Sequence, residues 1–238
     1  MEPILHTDNV SRIYQSGDMK VVALQDISMN VMPGSLTMLR GRSGSGKTTL
    51  INLLGTLDRP TSGHIYYEDQ DISALPDNRR DALRRKNMGF IFQSVALIGQ
   101  MSAYENVEFG LRLANYPMKL RRDRAMECLE FVGLKNRVTH RPSELSGGEQ
   151  QRVAIARAIA HKPKIVFADE PTAEVDSTMG LRIMRLLRNM VEQEGITVLM
   201  TTHDPHMIDL GDHIYSLSDG QIVEELFMEV PRQEEAST

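Results

Sequence analysis

The sequence GRSGSGKT occupies residues Gly41 to Thr48, between a short apolar run and an amphipathic one. The run before it, Leu36 to Leu39, predicts a strand, and TTLINLLGTL after it has apolar residues at helical spacing. A strand, a glycine loop and a helix in this order are the context in which the pattern G-x-x-x-x-G-K-[S/T] binds phosphate. Glycine lets the backbone wrap closely, so that successive N–H groups point at phosphate oxygens. The sequence therefore predicts a phosphate-binding loop.

Every residue of this loop is a candidate ligand of the phosphate chain. Lys47 is expected to reach the terminal phosphates, and the Thr48 hydroxyl is expected to ligate Mg²⁺. The full set of candidates is Gly41, Arg42, Ser43, Gly44, Ser45, Gly46, Lys47, Thr48 and Thr49.

Polar side chains also follow three other apolar segments. KIVFADE predicts a buried strand ending at Asp169 and Glu170, at the edge where an open α/β sheet binds its ligands. Asp169 suits a metal shell, and Glu170 can polarise an attacking water. His203 follows the predicted strand VLMTT, and Gln93 ends the predicted strand GFIFQ. We interpret His203 as a partner of the terminal phosphate or the water, and Gln93 as a partner of the metal or the water.

Composition and charge argue against some classes of protein. The chain has 238 residues, a net charge of −5 and a pI of about 5.8, which argues against a duplex DNA-binding domain. Its single cysteine, Cys128, excludes an intrachain disulfide and predicts a buried helical residue in a reducing compartment. No run approaches the roughly 20 apolar residues of a membrane span, and the N-terminus has no signal-peptide pattern. We expect a soluble chain whose membrane role, if any, needs another protein.

The order of the periodic segments predicts an α/β fold in one domain. Residues 1–93 and 161–228 are expected to form the β/α core, with strands dominating the first 35 residues and a hairpin from Asp212 to Glu225 near the end. Helical periodicity predominates in an insert at 94–160, and a polar tail occupies 229–238. Two basic runs, 79–86 and 119–124, are interpreted as solvated helix faces.

A second glycine motif, LSGGEQ, occupies residues Leu145 to Gln150 and directly precedes the predicted helix QQRVAIARAIA. Glycine weakens a helix start. Bare N–H groups at a positive helix end nevertheless form an anion site. The chain therefore carries two predicted anion sites about a hundred residues apart.

Taken together, these motifs make the chain similar to the ATP-binding subunits of ABC transporters. The resemblance spans roughly residues 3–225 and includes the phosphate loop, Gln93, LSGGEQ, Asp169-Glu170, Asp176 and His203 in the family's order. It implies a P-loop NTPase core with a mixed sheet, an N-terminal antiparallel β subdomain and an inserted α-helical subdomain. It also implies Mg²⁺-dependent ATP hydrolysis, with Lys47, Glu170 and His203 catalytic and with Thr48, Gln93 and Asp169 at the metal.

The same resemblance accounts for the two glycine motifs. In this family two chains pair head to tail, and each ATP lies between the phosphate loop of one chain and the LSGGEQ of the other. The residues implied to act on the partner's ATP are Ser146, Gly147, Gly148, Glu149 and Asp176. Tyr14 lies where the family places an aromatic residue that stacks on adenine. The resemblance thus implies an ATP-bound homodimer.

Longer segments narrow the resemblance to one branch of the family. GRSGSGKTTLINLLGTLDRPTSG, FQSVALIGQMSAYENV and RPSELSGGEQQRVAIARA resemble the ATPases of lipoprotein release, macrolide export, cell division and antimicrobial-peptide resistance. This branch implies a bacterial exporter or extractor with a separately encoded permease, to which the chain binds at the inner face of the cell membrane. We expect the permease to dock near residues 94–107, which contain Val95, Leu97, Ile98, Met101, Tyr104 and Val107.

Three alternatives stay open or are disfavoured at this point. A regulatory ATPase of the cell-division type is compatible with the sequence. A soluble ABC ATPase acting on nucleic acid or ribosomes is less compatible, because the chain has one ATP module and a compact insert. A nucleotide binder without turnover is disfavoured, because Lys47, Asp169, Glu170 and His203 are all present. Two segments depart from the family pattern, Leu97 to Gln100 and the segment containing Glu174, whereas Glu149 is a variant that this branch tolerates.

Overall fold

The computed structural model describes residues 2–228 and consists of two β-sheets with helices around and between them. The predicted polar tail, 229–238, lies outside the described residues. The strands are β1 Leu5–Ser16, β2 Met19–Val31, β3 Leu36–Arg40, β4 Ser62–Tyr67, β5 Gln70–Asp71, β6 Met88–Ile91, β7 Ile165–Ala168, β8 Thr197–Thr202, β9 His213–Ser218 and β10 Gln221–Phe227. The α-helices are α1 Lys47–Leu54, α2 Asp77–Asn87, α3 Ala103–Leu113, α4 Met118–Phe131, α5 Gly147–Ile159 and α6 Ser177–Glu194. Short 3₁₀ helices occupy Lys135–Arg137, Pro142–Glu144 and Pro205–Leu210.

The larger sheet is mixed and has the strand order β10-β9-β3-β8-β7-β6. Strands β9, β3, β8, β7 and β6 run parallel to one another, and β10 pairs antiparallel with β9 as the predicted terminal hairpin. The central strands β7 and β8 are buried along their whole length, as expected for parallel strands covered on both faces. Because parallel strands end at the same edge, the residues that follow β3, β6, β7 and β8 meet there.

The smaller sheet is antiparallel and has the order β2-β1-β4-β5. Its inward face and the α1 side of the larger sheet share one hydrophobic cluster, which includes Leu24, Leu39, Leu50 and Phe167. This sheet therefore lies against the strand that leads into the glycine loop. The α/β fold with a mixed sheet, an antiparallel N-terminal β subdomain and a helical part is confirmed.

Helices α3, α4 and α5 lie between β6 and β7 in the chain and pack on one another. A second cluster joins them to the other face of the large sheet, with Val107, Leu129 and Ile155 fully buried. Cys128 is buried in this cluster, as predicted, and burial raises the pKa of its thiol to about 12. Within residues 2–228, no helix combines the length and apolar character that a membrane span requires.

The interpretation of the two basic runs as solvated faces is wrong for two arginines. Arg80 is buried in α2, where its guanidinium donates to the carbonyls of Thr56 and Asp58. Arg124 is buried in α4 and donates to the carbonyls of Ala160 and Ile159 at the end of α5. The unpaired carbonyls at a helix end or turn accept strong charge-assisted bonds, and these bonds offset the cost of burying a cation.

Candidate active site

The glycine loop joins β3 to α1 in a conformation that only glycine adopts without strain. Gly46 caps α1 with φ of 104°. A Cβ at Gly46 would also lie 2.7 Å from the carbonyl oxygen of Ala23 and 2.8 Å from Leu24 Cδ2. Glycine is therefore required here for its backbone angle and for the close approach of β2.

The Lys47 side chain is buried beneath the loop. Its ammonium donates to the carbonyls of Gly41 at 2.8 Å and Arg42 at 3.1 Å. The same nitrogen lies 3.6 Å from Oε1 of Glu170, and the Lys47 side chain is only 4% exposed. A cation held in this way inside the curve of the loop favours an anionic ligand there.

A hydrogen-bond network connects Asp169 to the start of α1. Oδ1 of Asp169 accepts from the Thr48 hydroxyl at 3.2 Å and from the Thr201 hydroxyl at 2.7 Å. The Thr201 oxygen in turn accepts from the backbone N–H of Glu170 at 2.8 Å. Thr201 was missed in the sequence analysis, although a hydroxyl near the end of an apolar strand was a usable signal.

Glu170 follows β7 in a left-handed backbone conformation, with φ of 45°. Such angles are uncommon for a residue other than glycine, asparagine or aspartate, and they concentrate at functional sites. The conformation brings Oε2 of Glu170 to 3.2 Å from Nδ1 of His203, while Oε1 lies towards Lys47. The carboxylate thus sits between two nitrogen groups from two other strand ends.

These residues border a cavity of about 960 Å³. The predicted residues that line it are Gly41, Arg42, Ser43, Gly44, Gly46, Lys47, Thr48, Thr49, Gln93, Glu170 and His203. Ser45 and Asp169 are buried and do not line the cavity, but Asp169 accepts a hydrogen bond from Thr48, which does. Val21, Val22 and Ala23 of β2 line the cavity as well. Sequence analysis carried no signal for these three, because only the packing of the small sheet brings β2 there.

Tyr14 is not among the residues that line this cavity. Its hydroxyl donates to Oδ2 of Asp58 at 2.9 Å, and the Arg12 guanidinium lies 4.4 Å from the centre of its ring. Val21, its partner in the β1–β2 pairing, does line the cavity. Tyr14 is therefore one strand away from the cavity wall.

The second glycine motif lies outside that cavity. Ser146 caps α5, and a capping box joins its hydroxyl to the N–H of Glu149 and its N–H to the Glu149 carboxylate. The pKa of the Glu149 carboxyl is held below its ordinary value, mainly by the hydrogen bond from the Ser146 N–H. The Ser146 hydroxyl and the Arg137 guanidinium lower it further. None of Ser146, Gly147, Gly148 and Glu149 lines the cavity that contains the phosphate loop. One chain thus keeps its two glycine motifs apart.

The segment 170–176 connects the cavity to the second motif. Asp176 caps α6 by accepting from the N–H of Met179 at 3.0 Å. Asp176, Glu170 and His203 border a smaller cavity of about 200 Å³. Met179 packs against the start of α5, since a Cβ on Gly148 would lie 2.7 Å from Met179 Cγ. The start of α6 is therefore in contact with the start of α5.

The oxygen groups beside the phosphate loop fit a Mg²⁺ ion. Thr48, Gln93 and Asp169 supply a hydroxyl, an amide and a carboxylate, which are the hard oxygen ligands that Mg²⁺ prefers. The described residues contain no group of three or more His, Cys, Asp or Glu side chains arranged to hold a metal.

The strand, loop and helix around Lys47, together with the carboxylates after β7, define a P-loop nucleotide-binding ATPase. A family model described as ABC transporter matches residues 24–173. An uncharacterised ABC transporter ATP-binding protein of Methanocaldococcus jannaschii is 45% identical over 93% of this chain and 98% of its own length. The macrolide export ATP-binding/permease protein MacB of Syntrophobacter fumaroxidans is 42% identical, and the match spans 92% of this chain but 31% of MacB.

Solved structures agree with the sequence matches. The ATP-binding cassette MJ0796, in a dimeric post-hydrolysis state bound to ADP and Pi, superposes with a TM-score of 0.87 and 39% identity over 94% of this chain and 98% of its own. The cbiO1 structure from Clostridium perfringens, part of the ABC transporter complex cbiONQ, gives a TM-score of 0.85 at 29% identity over 94% of this chain and 88% of its own. The chain belongs to the ABC transporter family, and it is an ATPase of that family.

Proposed function

We propose that the chain is the ATP-hydrolysing subunit of a bacterial ABC exporter or extractor and that it drives a separately encoded permease. The observation that carries the ATPase mechanism is the position of Glu170, between Lys47 and His203 at the cavity formed by the phosphate loop. The proposal treats the chain as one cassette, with a core at 1–93 and 161–228, a helical insert at 94–160 and a tail at 229–238.

The phosphate chain of ATP binds along residues 41–49, with Lys47 at the β- and γ-phosphates. Thr48, Gln93 and Asp169 hold Mg²⁺, which when bound neutralises charge that develops on the phosphates during transfer. Tyr14 lies in β1 beside Val21 and outside the cavity lining, so the proposal requires its ring to turn towards the cavity to stack on adenine. The triphosphate of ATP thus lies along the phosphate loop, and the adenine lies along the small sheet.

Glu170 orients the attacking water and accepts its proton. The Thr201 hydroxyl supports this role, because it accepts from the Glu170 N–H and donates to the Asp169 carboxylate. These two hydrogen bonds fix the position of one acidic residue relative to the other. His203 shares the Glu170 carboxylate and positions the water or the γ-phosphate. The left-handed backbone at Glu170 aims the carboxylate into the cavity rather than along the strand.

ATP binds between two copies of the chain and holds them together as a dimer. Ser146, Gly147, Gly148 and Glu149 lie outside the cavity of their own chain, so a head-to-tail partner is needed to bring them to a γ-phosphate. In the proposed dimer, Asp176 approaches the partner's ATP from the same side as these four residues. The solved structures of MJ0796 are dimeric, which supports the pairing of two copies. The start of α5 then offers N–H groups and the Ser146 hydroxyl to the terminal phosphate.

The membrane partner binds in a groove of about 700 Å³ between the core and the helical insert. Aromatic and aliphatic side chains dominate its walls: Leu57, Phe90, Phe92, Ala96, Ile98, Phe109 and Leu113. Leu113 is 59% exposed and Leu57 41% exposed, which is unusual for large apolar groups around one groove. A short amphipathic helix of the permease fits such a surface.

Only some residues of the segment 94–107, which was predicted to dock the permease, line the groove. Val107 is fully buried, and Leu97 and Tyr104 pack on the core of the insert. Ala96 and Ile98 do line the groove, and Arg157 of α5 donates to the carbonyl of Ala96 at 2.8 Å. Motion at Gln93 can therefore reach both the groove wall and the helix that begins with the second glycine motif.

The export direction rests on the similarity to MacB proteins, which are named as macrolide exporters. A regulatory ATPase of the cell-division type uses the same site and groove and is the second candidate. Action on nucleic acid is disfavoured by the net charge of −5. The chain would act at the inner face of the cell membrane, held there by the permease.

The proposal is tested by measuring the mass of a Glu170→Gln variant by light scattering at micromolar concentration. We expect monomers without nucleotide and dimers with ATP, because the variant binds ATP without consuming it. A mass that does not change with ATP would contradict the proposed function.

A further inference from the structure

Two exposed side chains of opposite charge lie beside the two glycine motifs. Arg42 belongs to the phosphate loop, and Glu174 belongs to the segment between β7 and α6. Within residues 2–228, neither side chain makes a hydrogen bond or an ion pair in its own chain. Many of the other charged groups around the site are paired, as Arg137 is with Glu149 and Arg12 with Asp58.

Glu174 borders the start of the second glycine motif. Its backbone oxygen lies 4.0 Å from the position that a Cβ on Gly147 would occupy. Two residues later, Asp176 begins α6 as its N-cap, and Met179 of α6 contacts Gly148. Glu174 therefore belongs to the same surface as Gly147, and it does not line the cavity of its own phosphate loop.

Arg42 belongs to the surface that lies opposite in the proposed dimer. Its carbonyl accepts from the Lys47 ammonium at 3.1 Å, and the residue lines the main cavity. In a head-to-tail pair, the surface around Gly147 of one chain closes on the phosphate loop of the other. The segment that borders Gly147 then reaches the residues that begin the phosphate loop.

We propose that in the ATP-bound homodimer Arg42 of each chain forms an ion pair with Glu174 of the partner subunit. This inference rests on the proposed function. Two-fold symmetry makes the two pairs equivalent. Without Arg42, the Glu174 carboxylate would approach the negative phosphates of the partner's ATP unneutralised and would oppose closure. The pair therefore favours closure and the homodimer over pairing with a cassette that lacks the matching charge.

The test uses charge reversal in two separate chains, both carrying Glu170→Gln. In a dimer of the Arg42→Glu variant, two carboxylates meet wherever residue 42 faces residue 174. In a dimer of the Glu174→Arg variant, two guanidinium groups meet there. We expect each to raise the Kd of ATP-dependent dimerisation by at least about tenfold, because like charges at a contact are costly. An equimolar mixture of the two variants restores both pairs across the interface, and its heterodimer should have a Kd within about threefold of the parent. Native mass spectrometry identifies that heterodimer by its mass.

Because Arg42 also belongs to the phosphate loop, nucleotide affinity is measured for each variant at a concentration where it is monomeric, and ATP is then set at saturation. A neutral series complements the reversals: Arg42→Met, Glu174→Met and the double variant. The double variant should lose as much dimer affinity as one single variant does. This loss of affinity should become smaller as the salt concentration is raised. An ion pair within one chain could not produce preferential heterodimers.

A parent that dimerises with ATP while the mixture stays as weak as either variant alone would overturn the ion pair and leave the proposed function intact. Additive losses in the neutral series would overturn it as well. A parent that stays monomeric with ATP contradicts the proposed function and the ion pair together.

Discussion

The ammonium of Lys47 lies 3.6 Å from a carboxylate oxygen of Glu170, although 122 residues separate the two in the chain. Lys47 begins α1 after the first strand of the parallel set, and Glu170 follows β7, two strands away in the sheet. The contact couples the group expected at the phosphates to the group expected at the water. Several consequences of this arrangement can be measured.

Replacing the carboxylate should separate binding from hydrolysis. Glu170→Gln keeps the side-chain shape and the hydrogen bond that the backbone N–H of residue 170 donates to the Thr201 hydroxyl oxygen, but it loses the proton acceptor. We expect ATP turnover to fall by about 10²-fold or more, as for loss of a positioned base, with ATP affinity retained. Steady-state phosphate release and nucleotide binding measure the two effects. Glu130→Gln on the exposed face of α4 is the matched control and should leave turnover unchanged. Unaltered turnover in Glu170→Gln would remove this residue from the mechanism.

Within residues 2–228, two α-helices begin with a capping box formed by a serine and a glutamate, and only one of these boxes should matter for dimerisation. Ser102 caps α3 with Glu105, as Ser146 caps α5 with Glu149. Ser102→Ala and Ser146→Ala should each lower the unfolding free energy by about 1 kcal/mol. In the Glu170→Gln background, only Ser146→Ala should weaken ATP-dependent dimerisation, and Ser146→Arg should abolish it by filling the γ-phosphate position. Equal effects of Ser102→Ala and Ser146→Ala on the dimer would show that the cap acts through stability alone.

Gly148 should be intolerant of substitution because of packing inside its own chain. An added Cβ would lie 2.7 Å from Met179 Cγ, and overpacking of this kind costs about 1–3 kcal/mol. Gly148→Ala should therefore weaken ATP-dependent dimerisation by displacing the start of α5. Met179→Ala in the same chain should recover it, since alanine leaves room for the new methyl group. Calorimetry and light scattering follow stability and dimerisation, and failure of the double variant to recover would indicate that the methyl group meets the partner's nucleotide instead.

Charge placed in the apolar groove should uncouple the chain from its permease. Leu113→Glu and Ala96→Glu add a carboxylate to the groove walls without touching the nucleotide cavity. Basal ATPase activity of the isolated chain should stay within about twofold, because rim substitutions away from buried features change little. Co-purification with the cognate permease and stimulation by it should be lost. Met118→Glu, at a position that is 83% exposed outside the groove, is the control. If the control releases the permease and the groove variants do not, the docking surface lies elsewhere.

Cys128 should be almost inert in the folded chain. Burial raises the pKa of its thiol to about 12, well above the roughly 8.5 of a free cysteine. At pH 8 the thiolate fraction is then on the order of 10⁻⁴. Labelling with an aromatic disulfide at pH 8 should be at least about 10³-fold slower than in denaturant, and the single cysteine makes the signal unambiguous.

The same raised pKa has a consequence for stability. Because the unfolded thiol loses its proton first, the contribution of Cys128 to stability is complete below about pH 8.5 and declines as pH rises towards the folded value of about 12. Removing the titrating group should abolish this decline. Denaturation of the native chain and of Cys128→Ala between pH 8 and 11 measures it, and parallel pH profiles would contradict a buried neutral thiol.

Local sequence was sufficient for the features that contiguous residues form. The glycine loop, the strands that precede Gln93, Asp169 and His203, and the terminal hairpin were all predicted from residues within a few positions of one another. Backbone preferences, hydrogen bonds to neighbouring N–H groups and apolar periodicity act over that range. The α/β class followed as well, since strands and helices alternate along the chain.

Contacts between distant segments were decided only by the tertiary structure. The burial of Arg80 and Arg124 depends on carbonyls that other elements leave unpaired, and Val21 lines the cavity only because the small sheet packs beside α1. A single sequence states which groups are present but not which of them meet, because packing of the whole chain selects those pairs. The sequence by itself thus determined the chemistry available at the strand ends. Tertiary packing decided that Lys47, Glu170 and His203 share one cavity, while the second glycine motif is held away from it.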